Sequence, residues 1–222
     1  MKNIWIGILI ACCPLTQAFA QDVQGTSATV SVGNVNYVFS CSGVDDAQFI
    51  SVSLPEGHLG NKRLAAPQHL DDGDNCSQVM WNVQPSLESS ARFIMVNPGR
   101  LGLNAQMLVY YADRDGVDFS GYLPVAADMS SRDQFRVVGN DAYGQWERTY
   151  TFEKHKIGIA QELLLMNSGT VCLEHGGNLK INLPCAGATI KANANKPVCV
   201  VYRKGLPKLA ALHVCSSLAK QE

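Results

Sequence analysis

Between Ala28 and Cys41 the chain alternates with a period of two: Val30 and Val32 against Thr29 and Ser31, then Val35, Tyr37, Phe39 and Cys41 against Asn36, Val38 and Ser40. A period of two places alternate side chains on opposite faces of a strand, and no helix repeats this way. Gly33-Asn34 interrupts the alternation as a two-residue loop. Glycine at its first central position suits a type II′ turn, so residues 28–41 predict a β-hairpin. Further strand-like runs cover Gln48–Leu54, Gln78–Val83, Arg92–Val96, Gln106–Tyr111, Gln134–Val138 and Thr149–Phe152. Turn clusters such as Pro55-Glu56-Gly57, Asn97-Pro98-Gly99, the stretch 113–118 and Gly139-Asn140-Asp141 separate them. Many short strands between turns predict an antiparallel sandwich or barrel. Later in the chain, Lys180–Leu183, Thr189–Ala192 and Val198–Arg203 read as strands. The run Ile157–Met166 fits helix or strand, and its leucine-rich part, Gln161–Met166, favours helix by propensity. Pro207 to Lys220 is the best helix, with an early proline and apolar residues near helical spacing. The expected fold is mainly β with a disulfide-stapled C-terminal segment ending in an α-helix.

Compartment follows from the first twenty residues and the cysteines. Lys2 precedes an apolar run from Asn3 to Leu15, and Ala18-Phe19-Ala20 supplies an A-x-A cleavage pattern. This reads as a secretory signal peptide cut after Ala20, leaving Gln21 as the new N-terminus. A rival reading takes Leu9-Ile10-Ala11-Cys12 as a lipoprotein signal that anchors the chain through Cys12. That cut leaves a cramped signal and an odd cysteine at Cys13. After cleavage at Ala20 six cysteines remain: Cys41, Cys76, Cys172, Cys185, Cys199 and Cys215. An even number in an exported chain predicts three disulfides. Sequence-neighbour pairing is the best of the fifteen connectivities six cysteines allow. No C-x-x-C and no apolar run long enough for a transmembrane helix is present. The segment has a bacterial look, and the expected location is periplasmic or secreted.

The near-neutral charge of −1 conceals an asymmetry. Residues 21–153 hold sixteen acidic against eight basic residues and fourteen of the fifteen aromatics beyond residue 20. Residues 154–222 hold three acidic against nine basic residues, a single aromatic, Tyr202, and four of the six cysteines. A segment so poor in aromatics leans on disulfides, as small scaffolds do. The expected organisation is an acidic β-rich domain at 21–153 with a basic, cysteine-rich segment at 154–222 packed on it.

The strings that carry chemistry elsewhere are incomplete in this chain. Asp113, Asp115 and Asp118 surround Gly116 in an arrangement that suits calcium, which takes six to eight oxygens. The EF-hand spacing and its closing glutamate are missing, and a solvated turn is the plainer reading. Asp71-Asp72-Gly73-Asp74-Asn75 carries the same ambiguity. Glu174-His175-Gly176-Gly177 resembles an oxyanion loop, but no G-x-S-x-G accompanies it. Ser217-Leu218-Ala219-Lys220 fits S-x-x-K without its companion strings, and it sits at a chain end that tends to fray. The five histidines, His58, His69, His155, His175 and His213, have no metal-site spacing. No cofactor is expected.

The basic segment offers a binding surface. Lys180, Lys191, Lys196, Arg203, Lys204 and Lys208 can face an anionic glycan or an acidic protein, with Lys191, Lys196 and Lys204 the named contacts. Without interleaved aromatics there is no base-stacking platform, so nucleic acid is disfavoured. The preferred function is an exported binding or assembly protein of the bacterial envelope or surface, such as an inhibitor, an immunity protein or a surface-structure component, acting without turnover. A small secreted hydrolase or toxin comes second, and an envelope lipoprotein anchored at Cys12 third.

Overall fold

The computed structural model describes residues 21–44, 47–56, 61–87, 90–102, 104–131, 133–174, 179–203 and 205–219. The expected signal peptide, with Cys12 and Cys13, lies outside the described residues, as do His58, His175, Lys204 and Lys220. Antiparallel strands dominate, and no α-helix occurs among the described residues.

A four-stranded sheet contains β2 (Ser27–Val32), β3 (Val35–Ser42), β4 (Phe49–Ser53) and β5 (Gln68–His69) in that order. The β2–β3 hairpin closes at Val32↔Val35 around Gly33-Asn34. Gly33 has φ 62 and Asn34 does not join it at positive φ, the type II′ pattern. A five-stranded sheet runs β1 (Gln21–Gln24), β6 (Met80–Pro85), β7 (Arg92–Asn97), β8 (Gln106–Ala112) and β9 (Val117–Pro124). A six-stranded sheet runs β10 (Asp128–Ser131), β11 (Gln134–Asn140), β12 (Gly144–Glu153), β13 (Lys156–Met166), β17 (Val198–Arg203) and β18 (Leu206–Ala210). The last sheet orders β15 (Leu179–Ile181), β14 (Thr170–Leu173) and β16 (Ala188–Lys191).

The sheets stack through alternation. On β7, Ile94 and Val96 face the four-stranded sheet with Tyr37, Phe39 and Ile50, while Phe93 and Met95 face the six-stranded sheet with Phe135, Val137 and Tyr150. β8 divides in the same way: Leu108 and Tyr110 point to one core, Met107, Val109 and Tyr111 to the other. The five-stranded sheet is therefore covered on both faces, which is why β7 and β8 are almost uninterruptedly apolar. The six-stranded sheet carries the three-stranded sheet at its far end, where Leu164, Met166 and Val200 meet Val171 and Leu179.

The disulfides are Cys41–Cys76, Cys172–Cys185 and Cys199–Cys215, the sequence-neighbour pairing. Two helix expectations are corrected. Ile157–Met166 is part of β13, hydrogen-bonded between β12 and β17, with Leu163, Leu164 and Met166 buried on two faces. Two-sided burial, not helical periodicity, explains its leucine run. The expected final helix is strand β18 followed by a short 3₁₀ turn, Leu212–Cys215. Pro207 is tolerated because β18 is an edge strand, and the Cys199–Cys215 bridge draws the chain back over the sheet. The compositional boundary at 153/154 falls at the tip of the β12–β13 hairpin, so both sides of it share one sheet.

Candidate functional site

The inward face of the six-stranded sheet is filled by the neighbouring sheets, and its outward face is only half covered. At one end Cys215 and Leu218 of the C-terminal turn close over Leu163, Cys199 and Val201. Glu147, only 8% exposed, fixes that turn: its Oε2 accepts from Arg136 Nη2 at 2.6 Å and from Ser217 Oγ at 3.0 Å. A buried carboxylate with two partners of this kind holds its position, because losing either would leave charge desolvated. Ser217 of the S-x-x-K string is thus a clasp for the turn.

Beyond the turn the outward face opens into a groove of about 810 Å³ that crosses all six strands. Register sets its floor. Arg136 pairs across to Thr149, and Thr149 to Gln161. Gln134 pairs to Thr151. In a further row Glu147 pairs to Leu163, Leu163 to Val201, and Val201 to Lys208. A register shift between Thr149 and Tyr150 leaves Ala160 as the bulged residue, which also lines the groove. Arg203 and Lys208 form the cationic wall, both exposed and neither in an ion pair among the described residues. On the opposite face Arg148 binds Glu162 at 2.6 Å and lies 5.5 Å from the Trp146 ring centre. Burial there pushes the Tyr150 and Tyr202 phenols above their ordinary value and keeps them neutral.

The cations expected as contacts separate. Lys191 ends β16 and Lys196 closes a turn with Asn193; both are exposed. Their sheet packs on the inward side of the six-stranded sheet, away from the groove. Lys180 is paired with Glu174.

The acidic loops are held by arginines. Asp113 Oδ1 accepts the backbone N–H groups of Asp115 and Gly116 at 2.8 and 2.9 Å. Both oxygens of Asp118 accept from Arg63 at 2.8 Å, and His155 Nδ1 lies 2.6 Å from Oδ2. Burial raises the Asp118 pKa, but hydrogen bonds from Arg63 and His155 more than offset this and leave the carboxyl below its ordinary range. Arg63 also bonds in the backbone to Asp115 and Val117. Its carbonyl oxygen comes so close that a Cβ on Gly116 would fall 2.2 Å away, so this approach requires glycine. Asp74 and Asp71 in turn hold Arg100. Among the described residues no group of three His, Cys, Asp or Glu side chains is placed to hold a metal.

The Asp118–His155 pair was not legible in sequence. Lys154 and His155, at φ 50 and 61, form the two-residue turn of the β12–β13 hairpin without glycine. The His155 ring lies against Tyr111 and Phe152, with centroids 4.7 and 6.0 Å away, and these contacts hold the strained turn. The groove floor was also missed. Its available signal was the polar alternation Glu147, Thr149, Thr151 along β12.

Compared with known proteins, the chain matches no protein-family model, no curated protein and no solved structure. Three disulfides suggest an extracellular or periplasmic protein. Among the described residues no helix is long and apolar enough to cross a membrane.

Proposed function

We propose that this is an exported binding protein of the bacterial envelope or surface. It holds an acidic segment of a partner protein in the groove of the six-stranded sheet, without turnover. The observation that carries this reading is the groove itself. It offers unpaired Arg203 and Lys208 beside the exchangeable polar groups of Thr149, Thr151 and Gln161, on a floor fixed by strand register. Lys204, between the two cations in sequence, lies outside the described residues. Complementary charge of this kind speeds encounter and selects partners more than it adds affinity. Export depends on the leader at 1–20, and the basic segment contributes the cationic side of the contact.

The test is a pull-down from intact envelope extract at rising salt, with charge reversals at two sites. Arg203→Glu with Lys208→Glu is expected to abolish capture of a specific partner, and salt to weaken it, since screening shortens to about 3 Å at 1 M. Lys191→Glu with Lys196→Glu, on the other side, is expected to leave capture unchanged. If only the second pair matters, the contact lies on the three-stranded sheet. Hydrolysis of a peptide, glycan, ester or lipid by the purified protein, lost on changing one polar residue such as His155, would replace binding with catalysis.

A further inference from the structure

Beyond residue 20 the sequence has five methionines, Met80, Met95, Met107, Met129 and Met166. Four of them, all but Met166, line one cavity of about 480 Å³ between the five- and six-stranded sheets. They come from four strands: β6, β7, β8 and β10. Register brings three of them together. Met80 pairs across to Asn97, and the Val96↔Leu108 pairing places Met107 on the other side of the same Asn97. Two strand spacings separate Met80 and Met107, about 10 Å between backbones, within the combined reach of two methionine side chains. Met95, two residues before Asn97 on the same face, completes a triangle. Met129 packs against this face from the edge strand of the opposing sheet. Asn97 does not compete for the space, because its side chain is taken up by the backbone of Arg100. Met95 and Met107 are buried, Met129 is half-buried and Met80 is exposed at the mouth.

The donor chemistry is selective. Thioethers are soft, neutral ligands that favour Cu(I)-type ions over hard divalent ones. All six cysteines beyond residue 20 are bridged, so no thiolate competes. The cavity lining contains no histidine, and its one acidic residue, Asp128, pairs across to Arg136 and so lies on the opposite face of the edge strand from Met129. Neutral sulfurs offset no charge, so the set favours a soft monovalent ion over a divalent one.

We infer that this cavity is a binding site for a soft monovalent metal ion, Cu(I) or its redox-inert analogue Ag(I), held by Met80, Met95, Met107 and Met129. The site is independent of the outward groove and faces the other side of the six-stranded sheet.

The experiment is NMR of the exported form beginning at Gln21, free of the Cys12 and Cys13 thiols, carrying ¹³C-labelled methionine methyls and titrated with silver nitrate, alongside competition for Cu(I) against bicinchoninate. Four methyl signals are expected to shift and saturate at one equivalent, while that of Met166 stays in place. Met80→Leu with Met129→Leu changes only the rim, so folding is preserved and is checked by thermal melting. This variant is expected to lose competition by more than about tenfold, the scale on which metal sites respond to a lost partner. Zn(II) is expected to move none of the four signals. Silver binding that leaves the four methyls unmoved, or that survives intact in the folded rim variant, would overturn the assignment. So would shifts of the same methyls with octanol but not with silver, which would make the cavity an apolar-ligand pocket.

Discussion

The five-stranded and six-stranded sheets are built alike, antiparallel and each with one long-range pairing, β1 to β6 and β13 to β17, yet they answer to different demands. β8 has apolar residues on both faces because a sheet lies on each side of it. On β12 the outward row Glu147, Thr149 and Thr151 is polar, because among the described residues the C-terminal turn covers that face only in part, at Leu163 of β13. The number of covered faces, more than strand composition or length, separates the part of the molecule that carries stability from the part left available for contact.

That contrast can be broken at its strongest point first. Phe93 is fully buried and touches Tyr111, Phe135 and Phe152, with ring centroids 5.5, 5.4 and 4.9 Å away. Phe93→Ala is expected to cost about 3–5 kcal/mol in denaturant unfolding, the range for truncating a buried aromatic. A cost below that of surface changes would mean the two sheets are not one packed unit. Removing the Cys199–Cys215 bridge by double alanine substitution is expected to cost about 3 kcal/mol for a separation of this length. Hydrogen exchange should rise at residues 212–218, marking the turn as a cover held on the outward face by the bridge.

The clamp between β9 and the 61–67 loop comes next. Asp118→Asn is expected to cost about 1 kcal/mol at neutral pH, as partly exposed pairs do. Because the folded-state pKa of Asp118 lies below its ordinary value, the charged form adds stability above about pH 4. That contribution is lost as pH falls through the lower, folded-state value. The difference between wild type and variant should vanish at acid pH, and a difference that persists there would assign the effect to packing. Smallest of all, Arg203→Glu with Lys208→Glu is expected to change stability by no more than about 0.5 kcal/mol, the range for surface substitutions. A large loss would show that the groove cations are structural and close the distinction between the sheets.

How much of this was readable in the chain depended on whether the signal was local. The 28–41 hairpin was legible because both its alternation and its Gly33-Asn34 turn sit within fourteen residues. β7 and β8 were legible as apolar runs, although nothing local says that two sheets cover them. β9 is partly hidden, because the stretch 113–118 reads as a turn until Arg63, far off in sequence, pairs with Asp113 and Asp118. β13 reads as helix from its leucine-rich composition and β18 from an early proline and apolar spacing, and only pairing with β12 and β17 decides otherwise. The disulfide pairing followed from chain order. The groove, the Asp118–His155 contact and the methionine cavity each require residues from several strands, and no window of sequence contains them.

The Cys41–Cys76 bridge has a consequence for the order of events as the chain acquires its structure. β1 cannot find its place early: Gln24 pairs with Met80, more than fifty residues further on. Once Cys41 and Cys76 are joined, the path from Gln24 to Met80 runs through the bridge and shortens to about twenty residues, lowering the loop-closure cost by about 1 kcal/mol. The four-stranded sheet, being a local meander, supplies the geometry that lets the two sulfurs meet. Oxidation therefore lowers the entropic cost of docking the first strand onto the sheet edge, coupling this pairing to the redox state of the chain.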